Sequence, residues 1–252
     1  MIEPSLRLRR AIYRGDSTLV ARILKSHPNL LHNPDTTPST IHTPSGLSNT
    51  SLHLAASLDS VSICRLLLDL GHEGTPGSPQ ISLNENYDTP LHLAAKEGHT
   101  DVIHILCERC PTSIPRRNVR GMNALMLAAM GGHDTAVQLL LTYAPGGLES
   151  QDNPNELLNA ADHDGNTALH FASMYGHVLV LRTLLAAGAD WEKRNGWSWQ
   201  PVSYSATVQA EVHYKGLVGE IEKRNNQKDS QDIKNSGMST TRHMSNARGE
   251  ET

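Results

Sequence analysis

A short phrase that the chain repeats constrains its fold more than any other feature. The phrase stands as Thr-Pro-Leu-His-Leu-Ala-Ala at 89–95 and as Thr-Ala-Leu-His-Phe-Ala-Ser at 167–173, with looser copies at 51–56 and 124–129. Most copies are followed by a Gly-His pair and then by an aliphatic run. A chain that repeats one such unit stacks its copies, because no single unit can bury its apolar stripe alone. The sequence therefore predicts a solenoid.

The phrase also predicts the local structure of each unit. Thr89 is placed to cap a helix by accepting a hydrogen bond from an early backbone N–H, and Pro90 suits the first helical turn. Gly98 is expected to end this helix in a left-handed conformation. A second helix is predicted from about Thr100 to Arg109, where apolar residues recur at helical spacing. Phrase, glycine and helix pair together resemble ankyrin repeats, which have a period of about 33 residues.

The spacing of the phrase predicts how the chain is organised. Successive leucines of the phrase lie 39, 34 and 44 residues apart, at Leu52, Leu91, Leu125 and Leu169. The excess length falls in polar, turn-rich stretches at 33–49, 73–84 and 146–159. We predict an all-α ankyrin-repeat solenoid of about five to six repeats with a disordered C-terminal tail. Its predicted parts are a degenerate N-terminal capping repeat (1–34), central repeats with loop insertions (35–190), a C-terminal capping repeat and helix (191–224) and the tail (225–252).

Composition excludes several classes of protein. The net charge of −4 gives no general affinity for nucleic acid. No window approaches the roughly 18 continuous apolar residues of a membrane span, and the N-terminus lacks the apolar stretch of a secretory signal. The cysteine count of 3 is odd and fits a reducing compartment. We expect a cytoplasmic protein without direct membrane insertion.

Residue types that often serve in catalysis or metal binding are abundant, but their spacing does not assemble a catalytic or metal site. Of the 14 histidines, six belong to the repeated phrase or its Gly-His pair, where a structural role is expected. Cys107 and Cys110 form a Cys-x-x-Cys, but a second pair of zinc ligands and a βαβ setting are both missing. No phosphate loop, nucleophile elbow or metalloprotease motif is present. We expect no catalytic residue, no metal and no cofactor, and hence not an enzyme.

A protein-binding surface is the remaining expectation. In such a solenoid the turn tips and the outer positions of the first helices form a concave face. The candidate partner-binding residues on this face are Tyr87, Lys96, Glu97, Arg120, Met122, Met130, Asn166, Met174, Tyr175 and Trp197. The large apolar members suit an adaptable interface. Contact with the adjacent repeat explains them equally well.

Two further features of this face are its oppositely charged turn tips and a cluster of tryptophans. One predicted tip is basic, with Arg116, Arg117 and Arg120, and the next is acidic, with Glu149, Asp152, Glu156, Asp162 and Asp164. The contrast either steers a partner or marks two solvated turns. All three tryptophans fall in 191–199. A ring there either seals the end of the stack or anchors a partner.

The two ends of the repeat region resemble one particular family. The run from Glu3 to Ile12, Gly15 and the stretch 27–31 resemble the start of the Avo2-type ankyrin subunits of the fungal target-of-rapamycin complex 2. The segment Gly-Trp-Ser-Trp-Gln-Pro at 196–201, with an amphipathic helix to about Glu222, resembles the end of that family's repeat region. The insertion at 33–49 and the short tail depart from the family pattern.

This resemblance implies a non-catalytic accessory subunit, held by scaffold subunits of a kinase complex that works at the plasma membrane. The expected partners are therefore subunits of that complex, and the chain would lie at the membrane periphery only through them. The alternative is a generic ankyrin adaptor in another pathway, such as transcription or trafficking.

Overall fold

The computed structural model describes residues 3–32, 48–73, 81–144, 155–208 and 211–223, and within these ranges it is helical and contains no strand. The predicted tail, and most of the predicted insertions, lie outside these ranges. The all-α prediction is confirmed for the described residues.

The helices form five pairs and a closing unit. Repeat 1 comprises α1 (Pro4–Tyr13) and α2 (Ser17–Ser26), and repeat 2 comprises α3 (Ser51–Ser57) and α4 (Val61–Asp69). Repeats 3 and 4 comprise α5 (Pro90–Glu97) with α6 (Thr100–Arg109) and α7 (Ala124–Gly131) with α8 (Asp134–Tyr143). The short α9 (Asn155–Leu158) precedes repeat 5, which comprises α10 (Ala168–Met174) and α11 (Val178–Ala186). The closing unit contains the 3-10 turn Pro201–Tyr204 and a last helix, α12, at 211–223.

The pairs stack in one direction and build two rows of helices. The first helices α1, α3, α5, α7 and α10 contact their successors in turn, and Pro201–Tyr204 packs on α10 where a sixth first helix would lie. The second helices α2, α4, α6, α8 and α11 form the other row. The core between the rows is aliphatic, with Leu91, Ile103 and Leu140 each at most 1% exposed. In α12, Tyr214 and Leu217 extend this core past repeat 5.

The predicted N-cap and C-cap of helix α5 are present. The Thr89 hydroxyl accepts a hydrogen bond from the backbone N–H of His92 at 3.3 Å, and the His92 ring accepts one from the Thr89 N–H at 3.2 Å. Gly98 ends α5 with φ +78°, as expected for a left-handed C-cap. The second helix runs over Thr100–Arg109, the predicted span.

The histidines of the phrase reach forward to the next unit. In each, Nε2 donates to a backbone carbonyl there: His53 to Asp88 at 2.8 Å, His92 to Met122 at 3.1 Å and His170 to Trp199 at 3.1 Å. Burial lowers the pKa of all three rings, that of His53 to about 4. The rings are therefore neutral at neutral pH and serve as structural hydrogen-bond donors.

The histidines of the Gly-His pairs reach backward instead. Nε2 donates to a carbonyl of the preceding repeat: His99 to Ser57 at 3.2 Å, His133 to Lys96 at 3.0 Å and His177 to Met130 at 3.0 Å. For His133 and His177, a glycine of the preceding repeat makes room for the ring. A Cβ added to Gly98 would lie 2.3 Å from Nδ1 of His133, and one added to Gly132 would lie 2.6 Å from Nδ1 of His177. The structural interpretation of all six histidines is confirmed.

The Cys-x-x-Cys is also structural. Cys107 and Cys110 are buried free thiols, and burial raises the pKa of each to about 12. Over the described ranges, no group of three or more His, Cys, Asp or Glu side chains is arranged to hold a metal ion. None of the helices in those same ranges has the length and apolar content to cross a membrane.

Candidate partner-binding groove

Four turn tips of one construction form an edge of the stack. In each, the side-chain oxygen of the first residue accepts hydrogen bonds from the backbone N–H groups two and four residues on, at 2.7–3.0 Å. The first residues are Asn84, Asn118, Asp162 and Asn195. Asp, Asn and similar side chains favour such turns because they bond to their own backbone.

Backbone hydrogen bonds join each tip to the next. The Val119 N–H donates to the Asn86 carbonyl at 2.9 Å, His163 N–H to the Arg120 carbonyl at 3.1 Å, and Gly196 N–H to the Asp164 carbonyl at 2.8 Å. Each tip also contains a residue with positive φ, such as Gly121 at +76° and Gly165 at +83°. The tips therefore form a continuous edge with a fixed register.

A groove of about 500 Å³ lies between this edge and the ends of α7 and α10. Its lining comes from repeats 4 and 5 and the closing unit: Val119, Arg120, Met122, Met130, Asp162, His163, Asp164, Asn166, Phe171, Met174, Tyr175, Trp197 and Tyr204. Seven of the ten residues predicted to bind a partner are among them. Most of the predicted residues therefore lie together at one place in the described structure.

The helix ends give the groove its apolar side. Equivalent positions at the ends of the first helices carry Lys96 and Glu97 in repeat 3 but Met130 and Gly131 in repeat 4, and Met174 and Tyr175 in repeat 5. Tyr175 is 52% exposed, and its ring stacks on the His177 ring at 6.2 Å between centroids. The concave face thus changes from charged to apolar between repeats 3 and 4.

Three predicted residues lie outside the groove, on repeat 3. Tyr87 is 57% exposed at the preceding tip and adopts a positive φ of +57°. A bulky residue rarely adopts this conformation, which costs of order 1–3 kcal/mol. Lys96 and Glu97 are exposed side chains whose charged atoms lie 3.9 Å apart.

Two predicted residues are buried, unlike the free surface positions that the sequence indicates. Met122 is 2% exposed and Asn166 is 5% exposed. The Asn166 amide is used within the stack, since its Oδ1 accepts from Asn195 Nδ2 at 2.9 Å. Because both side chains are buried, neither is part of the proposed contact surface.

The tryptophans differ in how far they are buried. Trp191 is half-buried and packs against the core at the end of the stack. Trp197 is 58% exposed in the groove, and Trp199 is 53% exposed with its ring 5.2 Å from that of Tyr204. Tyr204, which the repeat pattern does not single out, joins the groove because its 3-10 turn replaces a first helix, and its hydroxyl accepts from Asn195 Nδ2 at 2.7 Å.

The two charged tips contact each other and retain some unpaired charge. Arg117 Nη1 donates to the Ala161 carbonyl at 2.8 Å, and the Asp162 carboxylate is used within its own turn. In the described ranges, the Arg120 guanidinium and the Asp164 carboxylate are exposed and have no hydrogen-bond or ion-pair partner. Glu149 and Asp152 lie outside the described residues. The groove is thus bordered by one cation and one anion.

Comparison with known proteins agrees with the geometry. Residues 8–118 and 110–195 match the family model described as ankyrin repeats (3 copies). The chain belongs to the ankyrin-repeat family. An ankyrin-repeat protein of known structure, EF0377, covers 87% of the chain and is itself 98% covered, with a TM-score of 0.63 and 23% identity, which shows the fold alone. The ankyrin-repeat domain of Bcl-3 gives a TM-score of 0.58.

Among curated relatives, the yeast (Saccharomyces cerevisiae) target of rapamycin complex 2 subunit AVO2 is 29% identical over 225 residues, which is 88% of this chain and 47% of AVO2. The chain therefore spans about half the length of that relative. A probable rice (Oryza sativa subsp. japonica) E3 ubiquitin-protein ligase, XBOS32, is 37% identical over 100 residues, but these cover only 39% of the chain and 18% of the ligase. An ankyrin-repeat domain is typically a non-catalytic protein-binding module, and this chain contains one.

Proposed function

We propose that this chain is a non-catalytic scaffold that binds subunits of a target-of-rapamycin complex 2 through the groove of repeats 4 and 5. The observation that supports this most is the breadth of the similarity to AVO2. It covers 88% of the chain, whereas the similarity to XBOS32 covers 39%. A shared repeat phrase alone gives a partial match, so the longer match favours a shared role.

The groove is the part of the described surface best suited to this role. Met130, Met174, Tyr175 and Trp197 bring apolar area to one exposed site, and aromatic and methionine side chains are enriched at protein interfaces. Folding of the stack does not require large apolar side chains at the helix ends, because repeat 3 carries Lys96 and Glu97 there. In this proposal the chain is cytoplasmic and reaches the plasma membrane only through its partners.

The proposal is tested by affinity purification of the tagged chain from native cells, followed by mass spectrometry. The wild type is expected to recover the target-of-rapamycin kinase with its complex 2 scaffold subunits. A variant with Met130→Ser, Met174→Ser and Tyr175→Ser is expected to lose them, because central apolar contacts dominate binding energy. Thermal melting establishes that the variant is folded.

The matched control carries Leu70→Ser, Leu179→Ser and Val212→Ser, which remove exposed apolar side chains outside the groove. It is expected to keep every partner of the wild type. Retention of the kinase by the folded groove variant, or its loss from control and groove variant alike, would contradict the use of this groove. Recovery of an unrelated set of proteins by the wild type, with the kinase absent under mild salt, would instead favour a generic ankyrin adaptor in transcription or trafficking.

A further inference from the structure

Three successive tips present a cation, an anion and an aromatic ring in a fixed order. Arg120, Asp164 and Trp197 hold the same position in their turns. The backbone N–H of each donates at 3.0 Å to the side chain two residues earlier. All three side chains are exposed, and Trp197 is 58% exposed. The turn geometry therefore sets both the order and the spacing of these groups.

The spacing selects one type of ligand backbone. Helices of neighbouring repeats pack at about 8–10 Å, so equivalent tip positions are separated by roughly that distance. A polyproline II segment has three residues per turn and rises about 3.1 Å per residue, so its residues i and i+3 share one edge about 9 Å apart. A β-strand does not fit as well, because residues three apart point to opposite faces.

The groove behind the tips suits the same ligand. Its accessible aromatic side chains are Tyr175, Trp197 and Tyr204, and proline-rich segments dock in aromatic-lined grooves. The carbonyls of a polyproline II segment have no internal partners and accept hydrogen bonds from outside. The Tyr204 hydroxyl accepts from Asn195 and keeps its own hydrogen for donation.

We propose that the groove binds a proline-rich, extended segment of a partner protein that carries an acidic residue opposite Arg120 and a basic residue three positions away opposite Asp164. An apolar residue three positions further contacts Trp197. The order can run in either chain direction, since the tips fix the spacing and not the polarity. This inference rests on the proposed function of the groove as a protein-binding surface and adds the chemistry of what it binds.

The first test uses fluorescein-labelled peptides and anisotropy on the purified full chain. The probes are Pro-Glu-Pro-Pro-Lys-Pro-Pro-Leu-Pro and its reverse sequence. A control of identical composition, Pro-Glu-Pro-Lys-Pro-Pro-Pro-Leu-Pro, brings the charges to a spacing of two. At least one probe is expected to bind about five-fold or more tighter than the control, because the control cannot place both charges on one edge. Equal binding of probe and control, or no binding of either probe up to millimolar concentration, would overturn the proposal.

The second test exchanges the charges of the protein. Arg120→Glu and Asp164→Lys are each expected to weaken binding of the probe about five-fold. The double variant is expected to prefer Pro-Lys-Pro-Pro-Glu-Pro-Pro-Leu-Pro, in which the peptide charges are exchanged. Arg116→Glu and Glu220→Lys change exposed charges outside the groove and are expected to have little effect. A double variant that binds both peptides equally would refute the assigned register.

Two further outcomes separate this proposal from its alternatives. A concentration-dependent dimer in sedimentation that Arg120→Glu dissolves would assign the groove to a second copy of the chain and overturn the peptide proposal. If neither probe binds but the groove variant still loses the kinase complex, the proposed function stands and the ligand class is wrong. If the probes bind with the expected pattern while the kinase is never recovered, the ligand class stands and the proposed assembly is wrong.

Discussion

The junction between repeats 3 and 4 contains more side-chain hydrogen bonds than the junction between repeats 4 and 5. At the first, His92 donates forward to the Met122 carbonyl, His133 donates backward to the Lys96 carbonyl, and Asn118 Nδ2 donates to Asp88 at 2.9 Å. The Tyr143 hydroxyl is also hydrogen-bonded to His104 Nε2 at 3.1 Å. At the second, Met126 takes the place of the forward histidine and Met122 takes the place of Asp88.

Fewer side-chain links remain at the second junction. Among the described residues these are the backward bond of His177 to the Met130 carbonyl at 3.0 Å, the bond of Arg117 to the Ala161 carbonyl at 2.8 Å, and the bond of the Thr183 hydroxyl to the Asp134 carboxylate between α11 and α8. The apolar groove opens over this same junction. One repeat phrase can therefore build a junction with or without the forward histidine bond and the side-chain bond between tips. The proposed binding groove lies over the junction that has neither of these two bonds.

The largest expected change in stability comes from removing the forward histidine of the first junction, so that it resembles the second. His92→Met should lower the free energy of unfolding by about 3 kcal/mol, because it leaves buried groups of Thr89 and the Met122 carbonyl without their partner. Urea denaturation followed by circular dichroism measures this value. A loss no larger than that of an ordinary surface substitution would show that the forward bond does not hold the junction.

Acid should act next most strongly, and through the histidine-linked junctions. Burial holds the pKa of His53 near 4 against an ordinary 6.5, and also lowers the pKa of His92. Their contribution is complete above pH 6.5 and is lost as the pH falls below it, for His53 towards pH 4, because the unfolded chain binds protons that the buried native rings do not. Each ring adds a slope of up to about 1.4 kcal/mol per pH unit in that window.

The matched variant for this prediction is again His92→Met. Urea denaturation at pH 7, 6, 5 and 4.5 should give a shallower pH dependence than in the wild type. An unchanged slope would show that His92 is protonated as readily in the folded as in the unfolded chain.

A smaller effect concerns the backward bonds. Gly98→Ala should cost about 2 kcal/mol, since the residue has φ +78° and the new Cβ would lie 2.3 Å from the His133 ring. Gly176→Ala has a similar φ of +72°, but its nearest atom is Ala206 Cβ at 3.6 Å, so about 1 kcal/mol of backbone strain is expected. Chemical denaturation of the pair separates strain from displacement of the ring, and equal losses would mean that the ring moves aside freely.

The smallest expected change in stability comes from giving the second junction a forward histidine bond like that of the first. Asn123→Thr with Met126→His should give repeat 4 the capping pair of its neighbours and a forward bond, and raise stability by about 1 kcal/mol. The same urea titration measures the gain. A double variant that is destabilised would show that close packing of Met126, which is 1% exposed, is needed more than the missing bond.

Much of the fold could be predicted because it depends on local contacts. The cap at Thr89, the left-handed Gly98 and the span Thr100–Arg109 each follow from residues close in sequence. The groove could be predicted only in part. The burial of Met122 and Asn166 arises only in the stacked structure, in which Asn166 bonds to Asn195 of the next tip. The contribution of Tyr204 depends on a 3-10 turn that replaces a helix. The substitution of Met126 for histidine is visible in the sequence, but its effect on the junction is not.

The fit of the His133 and His177 rings over Gly98 and Gly132 of the preceding repeats has a consequence for how such a chain can change in length. The two halves of this contact come from different repeats, so a duplicated or deleted repeat keeps it only if both breakpoints fall at the same place in the phrase. In the sequence, the extra residues at 33–49, 73–84 and 146–159 all fall between a second helix and the next phrase, and they include none of these four glycines and histidines. The length of these segments can therefore vary while Gly98 and Gly132 keep their contacts with the His133 and His177 rings.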